Sequence, residues 1–290
     1  MIENLIKELQ KRSNSILSVI LPQNDASQSE LVEAMGYVLM SPGKRIRPVI
    51  SYITADALDI DLNKIDLPAA SIELIHAYSL VHDDLPAMDD DDLRRGLPTC
   101  HKKFSESTAI LTGDALQSLA FETLSQIKND YAITLVRELS RASGVIGMAG
   151  GQAIDLASSG KEFDEKGLEN MHRLKTGALI TASVMFPYII GKNNNPDLSN
   201  ALKQYAKCIG LAFQVQDDIL DVEGETEIIG KPKGSDHKSD KTTYPKLMGL
   251  RNAKKRAIDL IEESCDAISF LGNKGDKLVN LARYIVNRNN

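Results

Sequence analysis

Nine aspartates in two short stretches carry the strongest chemical signal in this chain. Asp83, Asp84 and Asp89 to Asp92 lie in HDDLPAMDDDDLRRG at 82–96, and Asp217, Asp218 and Asp221 lie in FQVQDDILD at 213–221. Carboxylate oxygens without a His or Cys ligand pattern select hard cations. Neither stretch has the alternating ligands and closing Glu of an EF-hand, whereas Mg²⁺ takes one or two carboxylates and fills its remaining positions with water and phosphate oxygens. The sets Asp83/Asp84/Asp89 and Asp217/Asp218/Asp221 are therefore read as metal-binding, while Asp90 to Asp92 fit a solvated or supporting acidic turn. Cations occur in four short loop-like or helix-end motifs: Lys44, Arg45 and Arg47 in SPGKRIRP, Arg94 and Arg95 in LRRG, Lys175 in HRLKTG, and Lys231 and Lys233 in GKPKG. Forked Arg and point-charge Lys contacts beside Mg²⁺ are what phosphorylated ligands require, and separate basic groups suggest two such ligands. His76 fits two roles, a satisfied core histidine or a phosphate donor.

These side chains need rigid carriers. Apolar residues recur at three and four along most of the chain and period-two alternation is scarce, which predicts an all-α protein. PAASIELIHAYSLVH, from Pro68, reads as a helix that Pro86 prevents from continuing, so Asp83 and Asp84 fall at its C-terminal end. Anions are disfavoured at that pole, and Asp217 and Asp221 repel each other four apart on one face before the helix-stopping Gly224. Rules broken at both sites point to function. ELVEAMGYVLM, HRLKTGALITASVMF and ALKQYAKCIGLAFQVQDDILDV read as further helices, several of them apolar on nearly every face, as central helices of a large bundle are. GKNNNPDLSN and GETEIIGKPKGSDHKSDKTT read as loops. Gly144, Gly147, Gly150 and Gly151 in GVIGMAGG read as sites of close helix approach more than as a phosphate cradle.

Composition narrows the rest. At 290 residues with no Pro/Ser-rich linker the chain reads as one domain, 1–290, with ordinary apolar and charged content. A formal net charge of −6 argues against bulk nucleic-acid binding. Cys100, Cys208 and Cys265 match no metal or disulfide spacing, so a reducing compartment is expected. The N-terminus has helical spacing instead of a signal-peptide core, and the longest apolar run is too short to span a bilayer, so a cytoplasmic protein is expected. GETEIIGKP has five residues between its glycines and Pro232 where a Walker A loop needs Ser or Thr. GxSxG and HExxH motifs are absent.

GKRIRP, HAYSLVHDDLPAMDDDDLRRGLPTCH, LTGDAL, GQAIDL, HRLKTGAL, FQVQDDILDVEGETEIIGK and KTTYP occur in this order over nearly the whole chain. In these motifs the sequence resembles the trans-isoprenyl diphosphate synthases, most closely the bacterial-type farnesyl diphosphate synthases. The resemblance implies an all-α single large antiparallel helical bundle around a deep central cavity, the isoprenoid synthase fold, usually in a homodimer. It implies head-to-tail condensation of isopentenyl diphosphate with dimethylallyl or geranyl diphosphate, with about three Mg²⁺ ions per site. By motif position, Asp83, Asp89 and Asp217 would ligate Mg²⁺, with Asp84, Asp218 and Asp221 acting nearby or through water. Arg94, Lys175 and Lys231 would hold the allylic diphosphate, and Lys44, Arg47, His76 and Arg95 isopentenyl diphosphate. Thr176 and Gln214 would sit beside the reacting carbons. Asp240-Lys241 stands where the family usually has Gly-Lys, so Lys241 is given no role.

Tyr78, followed by Ser79, stands five residues before Asp83. At 1.5 Å per residue it lies roughly 7 Å deeper along the helix, on the order of one to two isoprene units. Its ring is ordinary core packing or the floor of the cavity; in the family an aromatic residue here goes with short products. Farnesyl diphosphate is the expected product and geranylgeranyl diphosphate the alternative. A terpene cyclase would carry an Asn/Asp…Ser/Thr…Glu second motif instead of DDILD, and the absence of Trp also counts against one. A non-catalytic subunit would not need intact aspartate and lysine motifs.

Overall fold

A computed structural model describes residues 2–22, 29–158, 163–223 and 242–287. Apart from short 3₁₀ turns and a two-residue hairpin, their regular structure is helical. The helices are α1 (Ile2–Ile20), α2 (Ser29–Met40), α3 (Ile46–Ala57), α4 (Asp66–Asp83), α5 (Cys100–Lys103), α6 (Glu106–Ser125) and α7 (Ala132–Ser143). They continue with α8 (Met148–Ala157), α9 (Glu165–His172), α10 (Ala178–Ile190), α11 (Pro196–Glu223), α12 (Tyr244–Met248), α13 (Leu250–Ala267) and α14 (Asp276–Asn287). α4 lies along α6, α11 along α13, and α3 against α10. One buried apolar cluster runs from Ile6 in α1 to Ile285 in α14.

The central helices are those whose sequences are apolar on most faces. α3 buries Ile46 through Ala55, and α4 buries Ile72, Leu74, Ile75 and Tyr78 along with its small residues. α10 carries Pro187 in its interior, which removes the donor that Ser183 O would otherwise receive. Ser51 Oγ from α3 donates to that carbonyl at 2.9 Å, so the defect becomes a buried tie between two core helices. Side-chain caps set several starts: Ser105 accepts from Thr108 N at 3.0 Å, and Asp164 from Gly167 N at 2.8 Å. Asn195 accepts from Asp197 N at 2.9 Å, which makes Pro196 the first residue of α11. The expected loop GKNNNPDLSN therefore ends at Asn195. The other expected loop falls at 224–243, of which residues 224–241 lie outside the described residues.

Arg45 is buried in the turn before α3, in the left-handed region (φ 48°). It donates to Glu73 Oε1 at 3.0 Å, to Leu39 O at 2.5 Å, to Ser41 O at 3.0 Å and to Asn14 Oδ1 at 2.8 Å. It thus builds the 41–47 segment from inside. Arg45→Met leaves Glu73 charged and buried, with an expected stability loss of about 3–5 kcal/mol in urea unfolding.

Candidate active site

α4 ends where the sequence says it should. Asp83 is its last residue and Asp84 its C-cap, and Asp89 returns through its N–H to Asp83 O at 2.9 Å. Asp217, Asp218 and Asp221 occupy the last two turns of α11. Both acidic groups therefore sit at the negative pole of a helix. Asp84 is 3 % exposed and is gripped by Arg94, whose Nε donates to its two oxygens at 2.7 and 2.9 Å. Burial works against the Arg94 charge, but these bonds outweigh it and raise the Arg94 pKa. Asp92 pairs with Lys102 at the surface and Asp91 with Arg94 at 3.4 Å, in the turn read as solvated or supporting.

Arg94 and Arg95 are delivered by a hairpin in which Leu93 pairs with Pro98 and Arg94 with Leu97. Its central residues, Arg95 (φ 53°) and Gly96 (φ 77°), both lie in the left-handed region, as a type I′ turn requires. Arg95 donates to Pro42 O at 2.8 Å and so closes against the Arg45 loop.

Lys175 is not at a helix end. α9 runs into α10 through a single π-helical turn, Arg173–Gly177, which presents Lys175 and Thr176 toward one cavity. Such turns are often found at functional sites. Glycines let neighbouring helices reach it. A Cβ on Gly151 of α8 would overlap the Lys175 backbone, and one on Gly210 of α11 would lie 3.2 Å from Gly177 Cα. One turn beyond Gly210, Gln214 meets Thr176. The expectation of close helix approach therefore holds for Gly151. Gly144, Gly147 and Gly150 abut carbonyls of residues 140–145 instead and shape the turn between α7 and α8. Gly151→Ala is expected to displace Lys175 and lower kcat by about 100-fold, with a lower Tm; an active variant with unchanged Tm contradicts the close approach.

The cavity, of about 350 Å³, is lined by α4, α8 and the π turn. Arg47, His76, Tyr78, Ser79, Asp83, Lys175 and Thr176 all face it. A smaller pocket adjoins it at His76 and Leu80 and is lined by Arg45, Arg94 and Arg95. Burial first, then four surrounding guanidinium groups, hold His76 well below its ordinary pKa. Arg47 is 7 % exposed, and its Nε has no hydrogen-bond partner among the described residues. Burial lowers its pKa, opposed first by Glu73 and then by Asp217, so one carboxylate of the second acidic group lies within electrostatic reach of Arg47. Asp83 is pushed up to about 6 by burial and by Asp89 and Asp84, against the pull of Lys175 and Arg94.

Two residues of this site had no role in the sequence reading although their motif, GQAIDL, stood out. Asp155 accepts from Lys175 Nζ at 2.7 Å, and Gln152, 8 % exposed, lines the cavity with both amide atoms unpartnered among the described residues. Their spacing of three on a helix was the available signal. Lys44 is half-buried in the 41–47 segment, where its carbonyl accepts from Gln10 at 2.6 Å. Lys231, with Lys233 and Lys241, lies outside the described residues.

The family model for polyprenyl synthetase matches residues 28–269. The chain belongs to the polyprenyl synthetase family. Among its members it is 47% identical to the farnesyl diphosphate synthase of Escherichia coli K12 over 96% of both chains. It is 42% identical to geranylgeranyl pyrophosphate synthase 11 of Arabidopsis thaliana, over 89% of this chain and 74% of that one. The solved geranyltransferase of Helicobacter pylori, complexed with magnesium and isoprenyl diphosphate, is 31% identical with a TM-score of 0.87, over 98% of this chain and 96% of that one. The polyprenyl synthetase motifs thus sit here on the all-α scaffold expected for them.

The fit of this carboxylate set to a divalent cation can be judged from the residues. Among the described residues no three His, Cys, Asp or Glu side chains converge to hold an ion by themselves. Asp83 nonetheless sits desolvated beside two further carboxylates, an arrangement that a hard cation relieves. A cation held by one or two aspartates and completed by water and diphosphate oxygens fits both facts.

Proposed function

We propose that this protein condenses isopentenyl diphosphate head to tail with dimethylallyl and then geranyl diphosphate, releasing farnesyl diphosphate. One observation carries the reading: a single cavity is lined by Arg47 and His76, by Asp83 and Lys175, and by the apolar wall that includes Tyr78. Arg47, His76 and Arg95, with Lys44, bind isopentenyl diphosphate; His76, neutral among guanidinium groups, serves as a hydrogen-bonding group there and not as a further charge. Lys175, Arg94 and Lys231 hold the allylic diphosphate.

Asp83, Asp89 and Asp217 would ligate Mg²⁺, about three ions per site, with Asp84 and Asp221 supporting them, whereas Asp218, expected in the same supporting set, has one oxygen on the Gln214 amide and the other on the Tyr244 N–H. When bound, Mg²⁺ would neutralise the charge that develops on the departing diphosphate. Lys175, fixed by the π turn and by Asp155, adds a preorganised positive charge at the same place. Thr176 and Gln214 lie beside the reacting carbons, and the apolar wall excludes water from the allylic cation. Arg94 reaches its ligand while clamped on Asp84, so it orients that carboxylate as well.

The chain works as one domain, which its continuous core supports. It pairs with a second copy; exposed Ile110 and Leu111 on α6 and Val145 and Ile146 after α7 supply apolar surface for that contact. Among the described residues no helix is long and apolar enough to cross a membrane, and a cytoplasmic location follows from the reading. Incubating the purified protein with isopentenyl and geranyl diphosphates and Mg²⁺, followed by mass spectrometry, tests the function. A fifteen-carbon diphosphate formed only when both substrates are present is the expected result; product from geranyl diphosphate alone would indicate a cyclase.

A further inference from the structure

Three hydrogen bonds run in series behind the reacting end of the cavity. Thr176 Oγ1 donates to Gln214 Oε1 at 3.0 Å, and Gln214 Nε2 donates to Asp218 Oδ1 at 3.3 Å. Asp218 Oδ2 accepts the Tyr244 backbone N–H at 3.0 Å. The Tyr244 ring in turn stacks on His172, 5.9 Å between centroids, and His172 directly precedes the π turn that carries Thr176. A closed ring of contacts therefore joins α9, α11, α12 and the π turn. Asp218, 3 % exposed, is its hub and differs in this from the half-buried Asp217 and Asp221 beside it.

We propose that Asp218 is a positioning residue that fixes the direction of the Thr176 hydroxyl. A carboxylate can only accept, so it compels the Gln214 amide to face it with the NH₂ group. The amide is planar and could otherwise turn over with little change of shape. With its NH₂ committed, Gln214 presents its carbonyl to Thr176, and the Thr176 hydroxyl must donate to it. The lone pairs on Thr176 Oγ1 are then left for the cavity. The inference rests on the reading of this cavity as the place where an allylic diphosphate ionises. Positive charge developing on carbon is stabilised by a lone pair and opposed by a hydroxyl hydrogen, and a water-excluded site enlarges the difference. One buried carboxylate would thus set, through two intervening groups, the sign of the dipole that the reacting carbons meet.

Asp218→Asn removes the compulsion, because an amide at that position can offer NH₂ and let Gln214 turn over. The swap Asp218→Asn with Gln214→Glu restores it: the new carboxylate accepts from both the amide introduced at position 218 and Thr176, with one charge and one amide kept in the same pair of positions. For D218N we expect kcat on the order of 10- to 100-fold lower, with KM for both diphosphates and the Mg²⁺ half-saturation within about threefold of wild type. For D218N/Q214E we expect at least a tenfold recovery over D218N. Thermal midpoints are read in parallel, and because the swap keeps the buried charge it tests the polarity even where D218N folds poorly. D218N turning over within twofold of wild type, a loss cured by raising Mg²⁺, or a folded double variant no better than D218N would each overturn the proposal. Wild-type protein that fails to elongate geranyl diphosphate would instead overturn the functional reading itself.

Discussion

Asp83→Asn is expected to lower kcat by about a thousandfold while raising the Tm of the ligand-free protein. Both halves follow from one arrangement. Asp83 closes α4 at its negative pole, desolvated and beside Asp84 and Asp89, and burial first, then those neighbours, push its pKa to about 6. A carboxyl whose folded pKa exceeds its unfolded value binds more protons in the folded state between the two. Its contribution to stability is therefore fully present below the unfolded value, near 4, and is lost as pH rises through about 6. At neutral pH the Asp83 charge costs stability that an isosteric amide does not. The same charge is what a hard cation needs, so under the proposed function activity and stability pull in opposite directions at this residue. The measurements are steady-state kinetics over a Mg²⁺ series and thermal melts without ligands at pH 5 and pH 7.5. The wild-type deficit against D83N should shrink at pH 5. A variant that is inactive and also less stable at pH 7.5 would mean that Asp83 holds the fold together instead of binding a cation.

How far the site was legible depends on how local each determinant is. Asp83 could be placed from the sequence because an apolar helix and Pro86 together fix where α4 stops. The Arg94–Leu97 hairpin could not, since strands of two residues show no alternation, although Arg95-Gly96 is a fair signal for its turn. The π turn is invisible for a different reason. HRLKTGALITASVMF has ordinary helical periodicity, and the extra residue per turn is set by packing against Gly151 and Gly210, which lie about 25 and 35 residues from it. Residues of one type also separate only in three dimensions. Arg45 and Arg47 share a motif, yet Arg45 is consumed by Glu73 and the 39–41 carbonyls while Arg47 faces the cavity. Asp218 reads like Asp217 in DDILD, and only burial and the Gln214 and Tyr244 contacts set it apart.

Tyr78→Ala is expected to shift the main product from fifteen to twenty carbons. Tyr78 and Ser79 line the same cavity as Asp83, five and four residues earlier on α4, so the ring lies roughly 7 Å deeper than the carboxylate. It is 8 % exposed and packs edge-on against His82, with 5.8 Å between ring centroids. His82 is itself pinned, because its Nε2 lies 3.0 Å from Ile110 O and a Cβ on Gly113 would overlap its ring. The Tyr78 ring is therefore backed on one side by a side chain that is itself held in place. Under the proposed function, a growing chain whose diphosphate is held by Lys175 and, through Mg²⁺, by the aspartates would meet that ring with its far end, and each added isoprene unit would have to displace it. Removing the ring leaves the diphosphate contacts untouched, so KM for geranyl diphosphate should stay within about threefold. The cost appears elsewhere: Tyr→Ala in a packed region should lower stability by about 3 kcal/mol, readable in urea unfolding. Chain-length analysis by mass spectrometry decides the matter. An unchanged fifteen-carbon product from a folded Y78A variant would mean that the cavity is floored by other side chains and that Tyr78 is core packing alone.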